Sequence, residues 1–383
     1  MTAPRAAATG SAARYRAYPQ LRFMGSKHRL LGWIERVLGQ LEFETALDAF
    51  SGSGCVSYLL KTMGKSVHAN DFLRFARDLA SATVVNSSET LSEDDVALLL
   101  SPAPARRRLV EQTFRGIFFP DDDNRFLDQA WAHLPALSEA KRSLALAALY
   151  RSCLKRQPRG VFTVSGFGRY DDGRRDLRLS LREHFVESVE VLNPLVFDNR
   201  RSHRATCSDV FALELPEPPD LVYLDPPYVP RADDNCYIKR YHFLEGLSSY
   251  WDGVEIHPTS KVRKLRKRYT PFSYRREAEG AFARLFERFA ESVVVLSYSS
   301  NGWPDLPRLV EIMGRYKASV AVHEEEHRYR FGTHRAVARA RVTEYLIVGT
   351  CPTRPPTRPR RTDGAAAPTA ARPRAGSRRK TAA

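Results

Sequence analysis

The stretch best equipped for chemistry is Asp225-Pro226-Pro227-Tyr228. It follows Leu221-Val222-Tyr223-Leu224, an apolar run that reads as a short buried strand, which the two prolines must end. The acid therefore falls at a strand's carboxyl end, the edge of an open α/β sheet where ligands bind. Proline lacks an N–H and has a fixed φ, so the Pro226-Pro227 pair makes a stiff turn whose first carbonyl can point outward. A carboxylate, a carbonyl and an aromatic ring are thus delivered together. Two acceptors about an amine's width apart beside a ring suit the methylation of an exocyclic amine. The lone pair of such a nitrogen is delocalised into its base; bonding both hydrogens favours the pyramidal geometry that attacks a methyl group, while the tyrosine stacks. A plain surface turn is the alternative, because proline and aspartate are common turn formers.

Other segments have the residues to build a site around that acid. Phe23-Met24-Gly25-Ser26-Lys27 precedes Leu30, Leu31, Trp33, Ile34, Val37 and Leu38 at helical spacing. A Gly-Ser-Lys turn opening a helix can hold an anion through backbone N–H groups and the lysine, or can be a simple N-cap. Thr45 to Gly54 reads as strand and glycine turn, with Asp48, Phe50, Gly52 and Gly54 at the turn and a helix from Val56 onward. Ser57 stands where a dinucleotide fingerprint needs its third glycine, which argues against NAD. Val67-His68-Ala69-Asn70-Asp71 ends a second strand with an acid 23 residues beyond Asp48, a spacing that fits the ribose of a nucleoside cofactor. Arg204 to Ser208 reads as a further short strand, followed by Asp209. Val293 to Tyr298 and Glu344 to Val348 read as buried strands.

From residue 86 to 200 the chain turns to helical segments rich in Leu, Ala and Arg, an inserted domain by its pattern. Within it, Lys155, Arg156, Arg159, Arg169 and Arg174 interleave with glycines and with Phe162 and Tyr170. Such a loop suits phosphate and base contacts; a solvated basic hairpin is the alternative. Residues 261–268 add six basic residues in eight, either a backbone-contacting patch or a solvated face. Tyr237 to Trp251 is aromatic-rich and is placed to close over the site. His323-Glu324-Glu325-Glu326-His327 matches H-E-x-x-H, a zinc motif only on a helix, whereas its neighbours read as strands. No metal is expected.

The 383 residues carry a formal net charge of +16, so a polyanion is the natural partner, and nucleic acid is favoured over membrane because no apolar run is long enough to span one. With no apolar run behind the N-terminal arginines, a cytoplasmic, nucleoid-associated protein of a bacterial or phage-infected cell is expected. Five dispersed cysteines without a CxxC pair read as reduced thiols. The expected organisation is a disordered N-terminus over 1–17, a first catalytic part over 18–85, the insert over 86–200, a second catalytic part over 201–350, and a disordered basic tail over 351–383.

The order Phe23-Met24-Gly25-Ser26-Lys27, Asp48-Ala49-Phe50-Ser51-Gly52-Ser53-Gly54, a long insert, then Asp225-Pro226-Pro227-Tyr228 resembles the D12-class, Dam-like, adenine-specific DNA methyltransferases. Pro158 to Phe162 and Glu344 to Ile347 are similar to parts of that family. The resemblance implies a Rossmann-like sheet of seven strands with an inserted, mainly helical target recognition domain, and S-adenosylmethionine as methyl donor. It implies that Asp48 faces the donor's amino group, Gly52 and Gly54 let the backbone approach, Lys27 lies near its carboxylate, Asp71 holds the ribose and Asp209 bonds the adenine. It also implies a flipped adenine in double-stranded DNA, held by Asp225, the Pro226 carbonyl and Tyr228. Restriction-modification or phage/host methylation is the expected setting, with a cognate restriction endonuclease as a candidate partner. Cytosine-N4 methylation, RNA adenine methylation and a catalytically inactive DNA-binding relative are the alternatives; four acids at strand ends argue against the last.

Overall fold

A computed structural model describes residues 11–103, 107–166, 172–229, 236–328 and 341–351. Arg169, Tyr170 and the basic tail beyond Cys351 lie outside the described residues. Seven strands form one sheet: β1 (Thr45–Asp48), β2 (Ser66–Asp71), β3 (Arg204–Cys207), β4 (Leu221–Leu224), β5 (Val293–Ser299), β6 (Ser319–Arg328) and β7 (Arg341–Thr350). Their order is β3-β2-β1-β4-β5-β7-β6. The first five are mutually parallel, and β7 runs antiparallel between β5 and β6.

Alternation along the central strands explains why they read as continuous apolar runs. Leu221 and Tyr223 of β4 join one buried cluster, while Val222 and Leu224 join the other, so each face of the sheet is covered. One face packs against helices Leu31–Leu38, Cys55–Thr62, Arg74–Ala80 and Tyr237–Ser249; the other against Arg275–Arg288 and Leu306–Gly314. This is a Rossmann-like α/β fold. After β1 the chain moves outward through β2 and β3, then returns to place β4 on the other side of β1. A crevice opens at such a reversal, outside the carboxyl ends of the two strands. Asp48 ends β1 there, and Asp225 immediately follows β4.

Between β2 and β3 the described residues are helices and turns, chiefly Asp121–His133, Glu139–Arg156 and Leu181–Leu192. The last starts at a reciprocal cap: Ser180 Oγ accepts from the Glu183 N–H, and the Glu183 carboxylate accepts from the Ser180 N–H at 2.7 Å. No described helix is long and apolar enough to cross a membrane.

One sequence expectation changes here and another holds. Residues 11–16 form a short helix rather than a disordered arm, because Tyr15 and Tyr18 have a buried place to go. Tyr18 donates its hydroxyl to the Ser53 carbonyl at 2.6 Å, bracing the glycine turn from behind. The His323–His327 motif lies wholly within β6, paired with β7. Residues four apart in a strand are separated by about 13 Å, too far for one ion.

Candidate active site

The carboxyl ends of β1, β2 and β4 open into a cleft with about 970 Å³ of empty space including its mouth. Its walls include Phe23, Met24, Gly25, Lys27, Asp48, Phe50, Gly52, Asp71, Asp209, Asp225 and Pro227. Segments spread over two hundred residues of sequence thus meet in one place. Tyr228 stands behind, its ring edge-on to Tyr298 at 5.0 Å. Gly54 begins the Cys55–Thr62 helix in the left-handed conformation, φ +77°, and Gly52 has φ +50°. These are conformations that β-carbon-bearing residues avoid. A Cβ on Gly52 would come within 3.0 Å of Phe23 Cε1, so the turn needs glycine for space as well.

The carboxyl ends of β1, β2 and β3 are tied to one another. Asn70, fully buried, donates to the Ala49 carbonyl beyond β1 at 3.2 Å and to the Ser208 carbonyl beyond β3 at 3.0 Å, and it accepts from Thr206 at 2.8 Å. This positioning residue went unnoticed in the sequence; a polar residue inside an otherwise buried strand was the signal. Asp71 accepts from the Gly52 N–H at 2.8 Å with one oxygen and from the Leu73 N–H at 2.8 Å with the other. It therefore organises the glycine turn before any ligand arrives. Burial pushes its carboxyl up to about 6 despite those bonds.

Asp48 is 1% exposed. Its Oδ2 accepts from Ser57 Oγ at 2.6 Å, while Oδ1 is buried with no hydrogen-bond partner. Burial, with the negative charges of Asp225 and Asp71 nearby, pushes its carboxyl up to about 7. A buried carboxylate oxygen without a donor, facing a cleft, calls for a cationic or N–H-bearing ligand. Asp209 lies two residues beyond β3, exposed, accepting from the Phe211 N–H at 2.8 Å.

Around Asp225 the structure departs from expectation. Lys27, 2% exposed, places Nζ 2.7 Å from both carboxylate oxygens, 3.0 Å from the Gly25 carbonyl and 3.2 Å from the Tyr228 hydroxyl. The lysine serves the acid after β4 rather than standing open to a ligand's carboxylate. Burial raises the Asp225 carboxyl to about 6, with the attraction of Lys27 holding it below where burial alone would put it.

The helix Tyr237–Ser249 holds the first motif in place. Met24 donates its N–H to the Tyr241 hydroxyl at 2.6 Å and accepts from the Tyr237 hydroxyl at 3.2 Å. Phe23 stacks on the Tyr241 ring at 4.8 Å with planes 3° apart. Tyr237 and Tyr241 are site residues that the sequence reading left within an unspecific aromatic stretch; their i, i+4 spacing was the available signal.

The basic residues of the insert have other duties than those expected. Lys155 bonds Glu187 at 3.0 Å and lies 3.4 Å from Asp176. Arg156 pairs with the buried Asp123 and donates to the Leu177 carbonyl. Arg174 bonds Asp172 at 2.7 Å and the Pro158 carbonyl at 2.8 Å. Phe162 is fully buried against Phe118 and Phe243, so it cannot fill a gap in a duplex. Gly160, at φ +65°, lies against Arg22, where a Cβ would strike the backbone oxygen at 2.7 Å. Ion pairs within the insert thus brace the loop, and Arg22, just before the first motif, ties to it through the Lys155 and Gln157 carbonyls at 2.8 and 2.9 Å and through Asp176 at 2.5 Å. Arg159 stays exposed at its edge.

Comparison with known proteins bears on this site directly. The sequence model for D12 class N6 adenine-specific DNA methyltransferase matches residues 23–290, a span running from Phe23 past Asp225. Over 331 residues the chain is 29% identical to the type II methyltransferase M2.HphI of Haemophilus parahaemolyticus, covering 82% of this chain and 93% of that one. The type II methyltransferase M.NlaIII of Neisseria lactamica is 23% identical over 328 residues, covering 81% of this chain and 92% of its own length. The modification methylase LlaI of Lactococcus lactis subsp. lactis is 24% identical over 343 residues, but only 51% of its length is covered.

Proposed function

The chain belongs to the D12 class of N6 adenine-specific DNA methyltransferases, and from that premise we propose that it transfers the methyl group of S-adenosylmethionine to the N6 amine of an adenine flipped from double-stranded DNA. The observation that carries this reading is the convergence of Asp48, Gly52, Asp71 and Asp225 on one cleft. Asp48 Oδ1, buried and without a donor, fits the donor's ammonium group. Gly52 and Gly54 keep the wall thin where its amino-acid end lies. Asp71, on the neighbouring strand end, fits the ribose hydroxyls, and Asp209 with Phe50 and Phe272 fits the adenine at the far side. The sulfonium, when bound, supplies an electrophilic methyl group, so the protein's remaining task is to prepare the nucleophile.

Asp225 and the carbonyl of Pro226 prepare it by accepting from the N6 hydrogens. As the new N–C bond forms at the expense of the donor's S–C bond, which leaves a neutral thioether, the amine gains positive charge; Asp225 beside it stabilises that charge and is placed to take the proton that the amine sheds. Lys27 holds both Asp225 oxygens in the free protein. It fixes the carboxylate's orientation and keeps it ionised, and the arriving amine shares those oxygens. The base must leave the duplex, because its amine is otherwise paired. The relatives' names place them in type II modification, so we infer a cytoplasmic enzyme that protects a short sequence from a cognate endonuclease.

Expression in a methylation-free host, with sequencing of its DNA for modified bases, tests the proposal. N6-methyladenine at one short motif is expected; methylated cytosine, or none, overturns it. Asp225→Ala should remove methylation by orders of magnitude with cofactor affinity near the parent's, and Asp71→Ala should weaken cofactor binding first. A large affinity loss in the Asp225 variant would sink the division of roles.

A further inference from the structure

Aromatic side chains in this protein are covered, with two exceptions that stand side by side. Tyr269 is 58% exposed and Tyr274 37%, and among the described residues no other aromatic is exposed to that degree. Their rings stack on one another, with centres 5.6 Å and planes 18° apart. One apolar side chain in water is ordinary, whereas two gathered at one spot invite a partner.

The place of the pair narrows what that partner is. Arg268, Thr270 and Phe272 line the cleft that holds Asp225, and the intervening Tyr269 does not. Thr270 is extended, with φ −146° and ψ 129°, and successive side chains of an extended segment point to opposite sides. Tyr269 therefore stands on the outer side of the cleft's rim. The rim itself is held firmly. Arg268 bonds Glu245 at 3.2 Å and the Phe72 carbonyl at 3.1 Å, and the Phe272 ring lies edge-on to Phe50 at 5.6 Å and stacked with Phe211 at 5.9 Å. Tyr274 donates its N–H to the Pro271 carbonyl at 3.2 Å and leads into the helix Arg275–Arg288, which makes it the inner ring of the pair and Tyr269 the outer. Residues 266–276 include five basic residues and no acid.

We propose that Tyr269, backed by Tyr274, is a stacking platform for the base that neighbours the flipped adenine. The proposal rests on the methyltransferase reading and adds how the opened duplex is held. DNA that feeds a base into the cleft must cross this rim, and the base beside the extruded one loses a stacking partner as it does so. A ring one residue from the cleft wall replaces that partner. The basic composition of the segment matches a polyanion. Stacking on a π-face tolerates any sequence, so the contact serves extrusion rather than recognition. Phe162, buried in the insert, cannot take this role.

The test uses the full chain and duplexes bearing the motif that genomic sequencing identifies, either fully paired or with an abasic site opposite the target adenine. Loss of one base–aromatic stack costs a factor between about 5 and 100, so Tyr269→Ala should lower kcat/KM on the paired duplex by that much. Tyr269→Phe, which restores a ring, should recover most of the loss. On the abasic duplex extrusion is easier, and the deficit of the alanine variant should shrink severalfold. With 2-aminopurine in place of the target adenine, the parent complex should be bright and the alanine complex dimmer. S-adenosylmethionine affinity, the methylated motif and the salt dependence of binding should stay the parent's, because neither a charge nor a cleft residue is lost. A deficit equal on both duplexes is what a structural role produces and overturns the platform, as does an alanine variant as fast as the parent on paired DNA. A parent dimer that Tyr269→Ala dissociates would give the surface to a second copy and overturn it as well. Absence of adenine methylation by the parent overturns the function itself, and the platform with it.

Discussion

If Asp48 receives the ammonium of the methyl donor, cofactor binding must be coupled to its protonation. The perturbation is pH between 6 and 7.5, and the magnitude follows from the carboxyl's rise to about 7 in the empty cleft. At pH 6 roughly ten molecules in eleven carry the proton, at pH 7.5 about one in four. An ammonium ion against Asp48 draws the carboxyl back toward its ordinary range, so only the ionised form binds well. Affinity should therefore fall about eightfold from pH 7.5 to 6, a little over 1 kcal/mol. Near pH 7 binding should release about half a proton. Calorimetry in buffers of differing ionisation enthalpy reads both quantities. Stability runs the other way: a raised carboxyl value means that the unfolded chain loses its proton first, so the empty protein loses stability as pH rises from the ordinary carboxylate range to about 7. The cofactor should consequently raise the melting temperature more at pH 7.5 than at pH 6. Asp48→Asn should bind weakly with the pH dependence gone. If the asparagine variant tracks the parent's slope, or the parent's affinity is flat over this interval, Asp48 does not meet the ammonium and the reasoning fails.

Three further outcomes follow from the same geometry. Lys27→Met removes the cation that opposes the burial of Asp225, so the acid limb of the kcat/KM profile should move to higher pH; a limb left where the parent has it would refute the pairing. Arg156→Ala strands the buried Asp123 and should cost on the order of 3–5 kcal/mol in urea unfolding while leaving the methylated motif unchanged. Gly52→Ala forces an unfavourable φ and crowds Phe23; unfolding should show a cost of about 1–2 kcal/mol, and cofactor affinity should drop more than turnover at saturation.

Much of the sheet was legible because its central strands are buried on both faces and end in acids. Leu221–Leu224 and Val293–Tyr298 announce themselves as unbroken apolar runs, and Asp48 and Asp71 close strands where the sequence placed them. Pairing of charges across distance was not legible. Nothing local says that Lys27 will meet an acid 198 residues away, or that Arg156 will meet Asp123 rather than a phosphate. A run of cations in sequence gives the number of charges but not the partner each will meet: within residues 261–268, Arg266 reaches Glu255 and Arg268 reaches Glu245 only because the fold brings those acids alongside. Asn70 escaped for a related reason: its partners, Ala49 and Ser208, follow strands that only the fold brings alongside.

The hold of Tyr237 and Tyr241 on Met24 spans 213 and 217 residues of chain. On the ribosome, a nascent chain emerging up to Tyr228 already contains every acid assigned to cofactor and base. Its first motif, however, would still lack the hydroxyls and the ring that hold Phe23 and Met24 in place. Contacts of such long sequence separation close late in folding. Competence should therefore arrive as a late step of biosynthesis, no earlier than the emergence of the segment through Ser249 from the exit tunnel, rather than growing with chain length. The delay between starting a molecule and having it work is thus set in part by two tyrosines.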